Sequence, residues 1–175
     1  MGNSYRLKLV LFGNPAVGKT SLIQRYINNK FEHEYLSTLG YNVYEKRLDF
    51  GNDNIIFVIF DIGGQEKFRE LRQKYAAGAN AALLVYAINN RESFENIPNW
   101  YNDLKAFTNN AHFVIVGNKV DLEHERQVSR EEAENLALQL QADGFFETSA
   151  KEDIMINETF SNFAKVILDK TTSSL

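Results

Sequence analysis

One eight-residue segment limits the folds open to this chain more than any other feature. Residues 13–20 read GNPAVGKT and match the phosphate-loop pattern G-x-x-x-x-G-K-[ST]. The segment directly follows the predicted strand residues 7–12 and directly precedes a helical pattern, which is the context such a loop needs. Small residues let backbone N–H groups at a helix N-terminus approach a triphosphate, whose β- and γ-phosphates Lys19 would neutralise while the Thr20 hydroxyl reaches Mg²⁺. The segment therefore predicts a nucleoside triphosphate site without naming the base.

Short β-branched or aromatic runs alternate with helical patterns along the chain. This alternation is typical of an α/β fold in which helices cover both faces of a mainly parallel sheet. Six strands are predicted, at residues 5–12, 41–50, 55–61, 81–87, 112–117 and 145–147. Because the turn-rich tetrapeptide 51–54 joins the second strand to the third, these two should form an antiparallel hairpin. We expect a three-layer P-loop NTPase fold with one antiparallel strand, formed by a single domain over residues 1–175.

Apolar residues at helical spacing predict the helices between these strands. The clearest stripes are Leu22, Ile23, Tyr26 and Ile27; Ala133, Leu136, Ala137 and Leu140; and Ile156, Phe160, Phe163 and Ile167. Two further helices are expected near residues 66–76 and 98–107, the second because Pro98 suits a first helical turn.

Composition excludes several classes of function. The chain has 175 residues and no cysteine, which excludes cysteine-ligated metal sites and thiol catalysis and favours a reducing compartment such as the cytoplasm. A net charge of -4 argues against a nucleic-acid partner. The longest apolar run, 81–88, is too short to span a membrane, and no signal segment opens the chain. We therefore expect a soluble protein.

The tetrapeptide Asn118-Lys119-Val120-Asp121 follows the fifth predicted strand, at the sheet edge where open α/β folds place ligands. A carboxylate at Asp121 can accept hydrogen bonds from both the N1–H and the 2-amino group of guanine. Adenine has an acceptor at N1 and no amino group at C2, so Asp121 would select guanine. Taken alone, the same Asn and Asp are equally typical of a loop turn.

Two other segments fit the same site. Residues 148–151, TSAK, follow the last predicted strand and can offer a backbone N–H to guanine O6 and the Lys151 stem to the ribose. Residues 61–65, DIGGQ, end the third strand with a carboxylate able to orient a metal-bound water, and Gly64 can turn its N–H onto a γ-phosphate. Residues 61–64 alone would be an ordinary turn. Together the loops favour one site for GTP and Mg²⁺.

In order and spacing, these segments resemble those of the small GTPases of the Ras superfamily. The matching segments are 13–20, a threonine in a tyrosine-containing loop (35–38), 61–64, 118–121 and 148–151, and the resemblance extends from about residue 5 to residue 170. Within the superfamily, the chain most resembles the Rab and Ras branches. Residues 38–40, 84–86 and 91–94 resemble Rab segments, whereas residues 61–65 are closer to the Arf sequence pattern.

The resemblance implies a GTP-binding and GTP-hydrolysing molecular switch that cycles between GTP and GDP states. It places Mg²⁺ on Thr20 and Thr38, with Asp61 acting through water. Gln65 would position the attacking water, and Lys19 would stabilise the negative charge on the γ-phosphate in the transition state. Since no Arg or Lys occurs at residues 31–38, the chain has no internal arginine finger, and hydrolysis should be slow without an activating protein.

The resemblance also assigns contacts to the nucleotide. Thr38 and Gly64 would hold the γ-phosphate and lose it on hydrolysis, so the loops around them would switch. Phe31 would flank the guanine, or else pack as a helix-end core residue. The contacts implied in this way are Gly13, Ala16, Val17, Gly18, Lys19, Thr20, Ser21, Phe31, Thr38, Gly64, Asn118, Lys119, Asp121, Ser149, Ala150 and Lys151.

Three features depart from the family pattern. Pro15 replaces the usual Gly or Ser, and Ala16 replaces a frequent Gly. Because Pro15 has no N–H, phosphate binding must use the donors from Ala16 onward. The tail 171–175 contains no prenylatable cysteine, which implies either a truncated chain or a protein that is not lipidated.

The family further implies an exchange factor, a GTPase-activating protein and effectors as partners. We expect a monomeric cytoplasmic protein, peripheral to membranes if a lipidated tail or an adaptor exists. Phe60, Tyr75 and Val43 occupy positions that form a partner surface in Rab-like relatives, or else pack in the core.

Two alternative functions stay open. A GTP-binding scaffold with negligible hydrolysis is one, since Pro15 can disturb the water-positioning geometry beside Gln65. A P-loop kinase for a small metabolite is the other, although it would not need residues 118–121 and usually carries an arginine-rich lid.

Overall fold

A computed structural model describes residues 2–33 and 37–173. Over these residues the strands form one six-stranded sheet in the order β2-β3-β1-β4-β5-β6. The strands are β1 (Ser4–Phe12), β2 (Tyr41–Phe50), β3 (Asp53–Ile62), β4 (Ala81–Ala87), β5 (His112–Asn118) and β6 (Phe145–Glu147). The helices are α1 (Lys19–Asn28), α2 (Arg69–Ala76), α3 (Arg91–Glu95), α4 (Ile97–Phe107), α5 (Arg130–Gln139) and α6 (Ile156–Ser173), with 3₁₀ turns at Glu66–Phe68 and Val120–Glu125. Tyr35 and Leu36 of the predicted loop 35–38 and tail residues 174–175 lie outside the described residues.

The sheet confirms the predicted α/β fold with its one antiparallel strand. Only β2 runs antiparallel within the described sheet, against β3, and the other neighbouring strands pair in parallel. The β2–β3 turn is shorter than predicted, because Asp53 pairs with Phe50 and Asn54 belongs to β3. The start of β1 explains the difference: Asn3 N–H donates to Asp53 Oδ1 at 2.7 Å and Ser4 Oγ donates to Asn54 Oδ1 at 2.7 Å.

The helices differ from the prediction in two places. The expected helix 66–76 is divided into the 3₁₀ turn and α2. The short helix α3 precedes α4 and was not predicted; its N-cap is Asn90, whose side chain accepts the Ser93 N–H at 3.0 Å. Helix α4 carries Pro98 in its first turn, as predicted.

Two apolar clusters, one on each face of the sheet, hold the layers together. Helices α1 and α6 cover one face, where Tyr26 and Phe160 stack with ring centroids 3.9 Å apart. Helices α4 and α5 pack on the other face through residues that include Trp100 and Ala133. All seven residues of β4 are buried between these layers. None of the described helices combines the length and the apolar character needed to cross a membrane.

Candidate functional site

A cavity of about 370 Å³ opens at the carboxyl end of the parallel strands, where loops from separate parts of the chain meet. Most of the sequence-predicted site residues line it: Ala16, Gly18, Lys19, Thr20, Ser21, Phe31, Thr38, Gly64, Gln65, Asn118, Lys119, Asp121, Ala150 and Lys151. The fold therefore brings together five segments that lie up to 135 positions apart in the chain, from Ala16 to Lys151.

Four predicted residues do not line the cavity and instead support residues that do. The Gly13 carbonyl accepts a hydrogen bond from Lys19 Nζ at 2.7 Å, and the Val17 carbonyl accepts one from Asn118 Nδ2 at 3.0 Å. The remaining two are fully buried: Asp61 accepts from Thr20 Oγ1 at 2.6 Å, and Ser149 Oγ donates to Asp121 Oδ1 at 2.6 Å.

The loop 13–18 needs glycine where it meets the neighbouring loops. Gly18 has φ 100°, and a Cβ there would lie 2.3 Å from Asn118 Nδ2. A Cβ on Gly64 would lie 2.4 Å from the Gly13 carbonyl oxygen and 2.7 Å from Lys19 Nζ. Ala16 has φ 64°, in the left-handed region that favours glycine, so its side chain strains the loop by about 1 kcal/mol.

Lys19 is the first residue of α1, and its side chain is 6% exposed. Its Nζ donates to the carbonyls of Gly13 and Asn14 at 2.7 and 2.8 Å. Burial lowers the pKa of Lys19 to about 8, against a smaller raising effect from the charge of Asp61. An anion beside Nζ would favour the charged ammonium, so this is a position suited to a phosphate.

Three oxygen-bearing side chains, those of Thr20, Thr38 and Asp61, contact one another close to Lys19. Thr20 Oγ1 lies 2.7 Å from Thr38 Oγ1 and donates to Asp61 Oδ2 at 2.6 Å. Asp61 Oδ1 is buried and has no hydrogen-bond partner among the described residues. Burial raises the pKa of Asp61, while the Thr20 hydrogen bond and the Lys19 charge oppose the shift. An unsatisfied carboxylate oxygen beside two hydroxyls fits a hard cation such as Mg²⁺, which prefers oxygen ligands.

The two loops predicted to hold a base are joined to each other and to the loop 13–18. Asn118 Oδ1 accepts hydrogen bonds from Thr148 Oγ1 at 3.1 Å and from the Ala150 N–H at 3.3 Å. Lys119 Nζ donates to the Ala16 carbonyl at 2.7 Å, and burial lowers its pKa. The side-chain amide of Asn118 therefore connects its own loop to the loops 13–18 and 148–151 through hydrogen bonds. Asp121, which lines the cavity, is held by the hydrogen bond from Ser149.

Gln65 lies at the opposite end of the cavity. Its Nε2 donates to Ser37 Oγ at 2.7 Å. Its carbonyl and that of Gly63 accept hydrogen bonds from Nη1 of Arg72, at 2.8 and 3.0 Å. The Arg72 guanidinium is 1% exposed and lies over the Trp100 ring at 4.9 Å.

Arg72 and Trp100 are supporting residues that the sequence analysis missed. Trp100 Nε1 donates to Asn14 Oδ1 at 2.8 Å, so the pair connects α2 and α4 to the loop 13–18. Their sequence signal is weak. Arg72 lies four residues before the buried Ala76, which puts both on the buried face of α2.

Several cavity-lining residues were also missed, or were noted for another reason: Pro15, Gln24, Glu32, His33, Ser37 and Leu122. Gln24 was predictable, because it lies four residues after Thr20 and so shares a helix face with it. Phe31 packs partly against the core, its ring meets the His33 ring edge-to-face at 5.3 Å, and it also lines the cavity. The core contact fits the interpretation as a helix-end core residue, and a contact with guanine stays a prediction.

Comparison with known proteins gives the family. Residues 8–169 match the sequence profile of the Ras family. Ras-related protein Rab-3 of Caenorhabditis elegans is 39% identical over 172 residues, covering 98% of this chain and 78% of that protein. GTP-binding protein Rab-3D of Rattus norvegicus is 40% identical with the same coverage, and Ras-related protein Rab-21 of Homo sapiens is 40% identical over 169 residues, covering 96% and 75%. The chain belongs to the Ras family of small GTPases and is Rab-like.

Proposed function

We propose that this protein binds GTP and GDP with Mg²⁺, hydrolyses GTP slowly, and recruits partners in membrane trafficking according to the nucleotide it holds. The observation that carries the proposal is a single cavity with a buried lysine at one end and an anchored carboxylate, Asp121, at the other. A nucleotide has the matching polarity, with phosphates at one end and a hydrogen-bonding base edge at the other. The Rab relatives support the same function.

The base would be selected by Asp121. Ser149 Oγ already donates to Asp121 Oδ1, so the carboxylate is fixed before a base arrives. Guanine would satisfy it with two donors, whereas adenine would leave it facing an acceptor. A desolvated carboxylate without a donor costs free energy, and such a mismatch discriminates strongly.

The phosphate end would use Lys19, the N–H groups from Ala16 onward and the start of α1. Thr20 and Thr38 would hold Mg²⁺, with Asp61 acting through water. When bound, Mg²⁺ neutralises charge that develops on the β- and γ-phosphates during transfer. Gln65 would orient the water that attacks the γ-phosphorus, which releases GDP and phosphate.

A GTP-binding scaffold with negligible hydrolysis is the second candidate. The observation that favours it is the hydrogen bond from Gln65 Nε2 to Ser37 Oγ, which engages one N–H of the amide that would orient water and holds the side chain toward Ser37. Pro15 lines the same end of the cavity and restricts the approach of an arginine from an activating protein. Single-turnover hydrolysis separates the two candidates.

Partners would bind a surface next to the two switch loops. Val43 on β2 is 48% exposed, and the Tyr41 and Tyr75 rings contact each other at a tilt of 34°, with centroids 4.1 Å apart. Phe60 packs partly into the core while its ring lies 5.8 Å from the Tyr75 ring. Phe60, Tyr75 and Tyr41 therefore form a chain of ring contacts that extends from the core to the exposed surface. We propose that effectors bind this surface. This protein itself would be a cytoplasmic monomer that reaches membranes through a lipidated tail or an adaptor.

Nucleotide competition tests the proposal. Wild-type protein should bind GTP and GDP more tightly than ATP by orders of magnitude. Asp121→Asn should shift the preference toward xanthine nucleotides, whose C2 oxygen accepts a hydrogen bond where guanine donates one. Asp49→Asn, the same substitution at an exposed position of β2, should leave the preference unchanged. Equal affinity of the wild type for ATP and GTP would contradict the GTPase assignment.

A further inference from the structure

The side chain of Arg25 on α1 connects two segments at the base end of the cavity. Its Nε donates to the Ala150 carbonyl at 2.8 Å, and its Nη2 donates to the Lys151 carbonyl at 2.9 Å. Its Nη1 donates to Asn29 Oδ1 at 3.2 Å, at the C-cap of α1. Arg25 thus ties the loop after β6 to the end of α1 that leads into Phe31, although it does not itself line the cavity.

These hydrogen bonds fix the direction of a backbone donor. In a trans peptide the carbonyl of one residue and the N–H of the next point in opposite directions, and no described peptide bond is cis. Because Arg25 holds the Ala150 carbonyl on the α1 side, the Lys151 N–H points away from α1. That N–H has no acceptor among the described residues, and both Ala150 and Lys151 line the cavity.

The part of the loop that supports Asp121 is held independently of Arg25. Ser149 pairs with Ile154 through two backbone hydrogen bonds of 3.1 and 2.9 Å. Ser149 Oγ accepts the Glu152 N–H at 3.0 Å and donates to Asp121. Loss of Arg25 should therefore affect the Lys151 N–H and leave the carboxylate of Asp121 in place.

We propose that Arg25 is a positioning residue for guanine: by holding the Ala150 and Lys151 carbonyls, it aims the Lys151 N–H at the O6 atom of the base. The inference rests on the proposed function and assigns one contact within it. Arginine suits the task because its planar guanidinium presents several donors in a fixed fork. Lysine keeps the charge but cannot hold two carbonyls and Asn29 in the same geometry.

The test compares three diphosphates that differ only in the base: GDP, inosine diphosphate, which lacks the 2-amino group, and the diphosphate of 2-aminopurine riboside, which lacks O6 and with it the hydrogen on N1. Release rates are measured for wild type, Arg25→Lys, Arg25→Gln and the control Asn28→Ala. Asn28 is an exposed residue of α1 whose side chain forms one hydrogen bond among the described residues, from Nδ2 to Gln24 Oε1 at 2.7 Å. Both Arg25 variants are included so that the Lys variant decides if the Gln variant fails to fold.

Arg25→Lys should release GDP about tenfold faster, the effect of weakening roughly one hydrogen bond. Release of the 2-aminopurine nucleotide should change by less than about twofold, since it has no O6 to lose. The preference for GDP over inosine diphosphate should stay at the wild-type value, as should all rates for Asn28→Ala. Inosine diphosphate keeps both O6 and the N1–H, whereas the 2-aminopurine nucleotide lacks both, so this pattern assigns Arg25 to that edge of the base. Because Ser149 holds Asp121, the partner of the N1–H, independently of Arg25, the pattern points to O6.

Equal acceleration of all three nucleotides, or no acceleration, would overturn the assignment of Arg25. Failure of the proposed function looks different, because wild-type protein would then show no preference for GDP over adenosine diphosphate. That comparison is made first, on the wild type alone.

Discussion

Three ionisable side chains are buried around the phosphate end of the cavity: Lys19, Asp61 and Arg72. Burial lowers the pKa of Lys19 and of Arg72 and raises that of Asp61, because each charged form loses hydration. Buried charges are costly unless paired, and Asp61 Oδ1 and the Nε and Nη2 atoms of Arg72 have no hydrogen-bond partner among the described residues, although Arg72 Nη2 lies 3.9 Å from Glu66 Oε2. We infer that bound nucleotide and Mg²⁺ would offset much of the cost at Lys19 and Asp61.

At the same scale, we expect the rate of hydrolysis to depend on Gln65. Intrinsic turnover should be slow, on the order of 10⁻⁴ to 10⁻² per second, the range typical of this family without a partner's arginine. Gln65→Leu should lower it by at least about tenfold, because leucine cannot orient water. Single-turnover rates measure both. Gln73→Leu, the same change at an exposed position of α2, should match the wild type.

The mechanism would fail on either of two results. A wild-type rate above about one per second without a partner would require an arginine at the γ-phosphate, which residues 31–38 do not supply and which Arg72 does not replace while its Nη1 donates to the Gly63 and Gln65 carbonyls. An unchanged rate in Gln65→Leu would remove Gln65 from the reaction.

At the scale of elements, the two loops that would sense the γ-phosphate contact each other. The Gly63 N–H donates to the Gly40 carbonyl at 3.0 Å, and Gln65 contacts Ser37. Contacts from Thr38 and Gly64 to a γ-phosphate would order both loops, so backbone amides near residues 37–40 and 64–71 should exchange hydrogen more slowly with a non-hydrolysable GTP analogue than with GDP. Hydrogen-exchange mass spectrometry measures this. The amides of β4 serve as the internal control, since that strand is buried.

Identical protection of both loops in the two nucleotide states would contradict the switch while leaving nucleotide binding intact. Slower exchange in only one loop would contradict the coupling through Gly40 and Gly63.

At the scale of the whole molecule, α6 closes one face of the sheet through Phe160, which is 1% exposed and stacks on Tyr26. Phe160→Ala should lower the free energy of unfolding by about 3 to 5 kcal/mol, because it removes apolar contacts and leaves a cavity. Leu138→Ala, at a side chain 76% exposed on α5, should change it by less than about 0.5 kcal/mol. Chemical denaturation measures the free energy of unfolding of wild type and both variants. The nucleotide concentration is held fixed, since ligand binding itself shifts stability. Equal effects of the two substitutions would show that α6 adds little to the core.

The sequence by itself determined the α/β class, the antiparallel β2–β3 pair and most residues of the cavity wall. Local signals suffice there, because the pattern 13–20 and the carboxyl ends of β5 at Asn118 and of β3 around Asp61 place side chains at the carboxyl edge of any such sheet. Tertiary structure alone decided which residues support that wall. Arg25, Arg72 and Trp100 act through carbonyl and side-chain contacts with segments as far as 126 positions away. No periodicity in the chain encodes such pairs, since they depend on how α1, α2 and α4 pack against the loops.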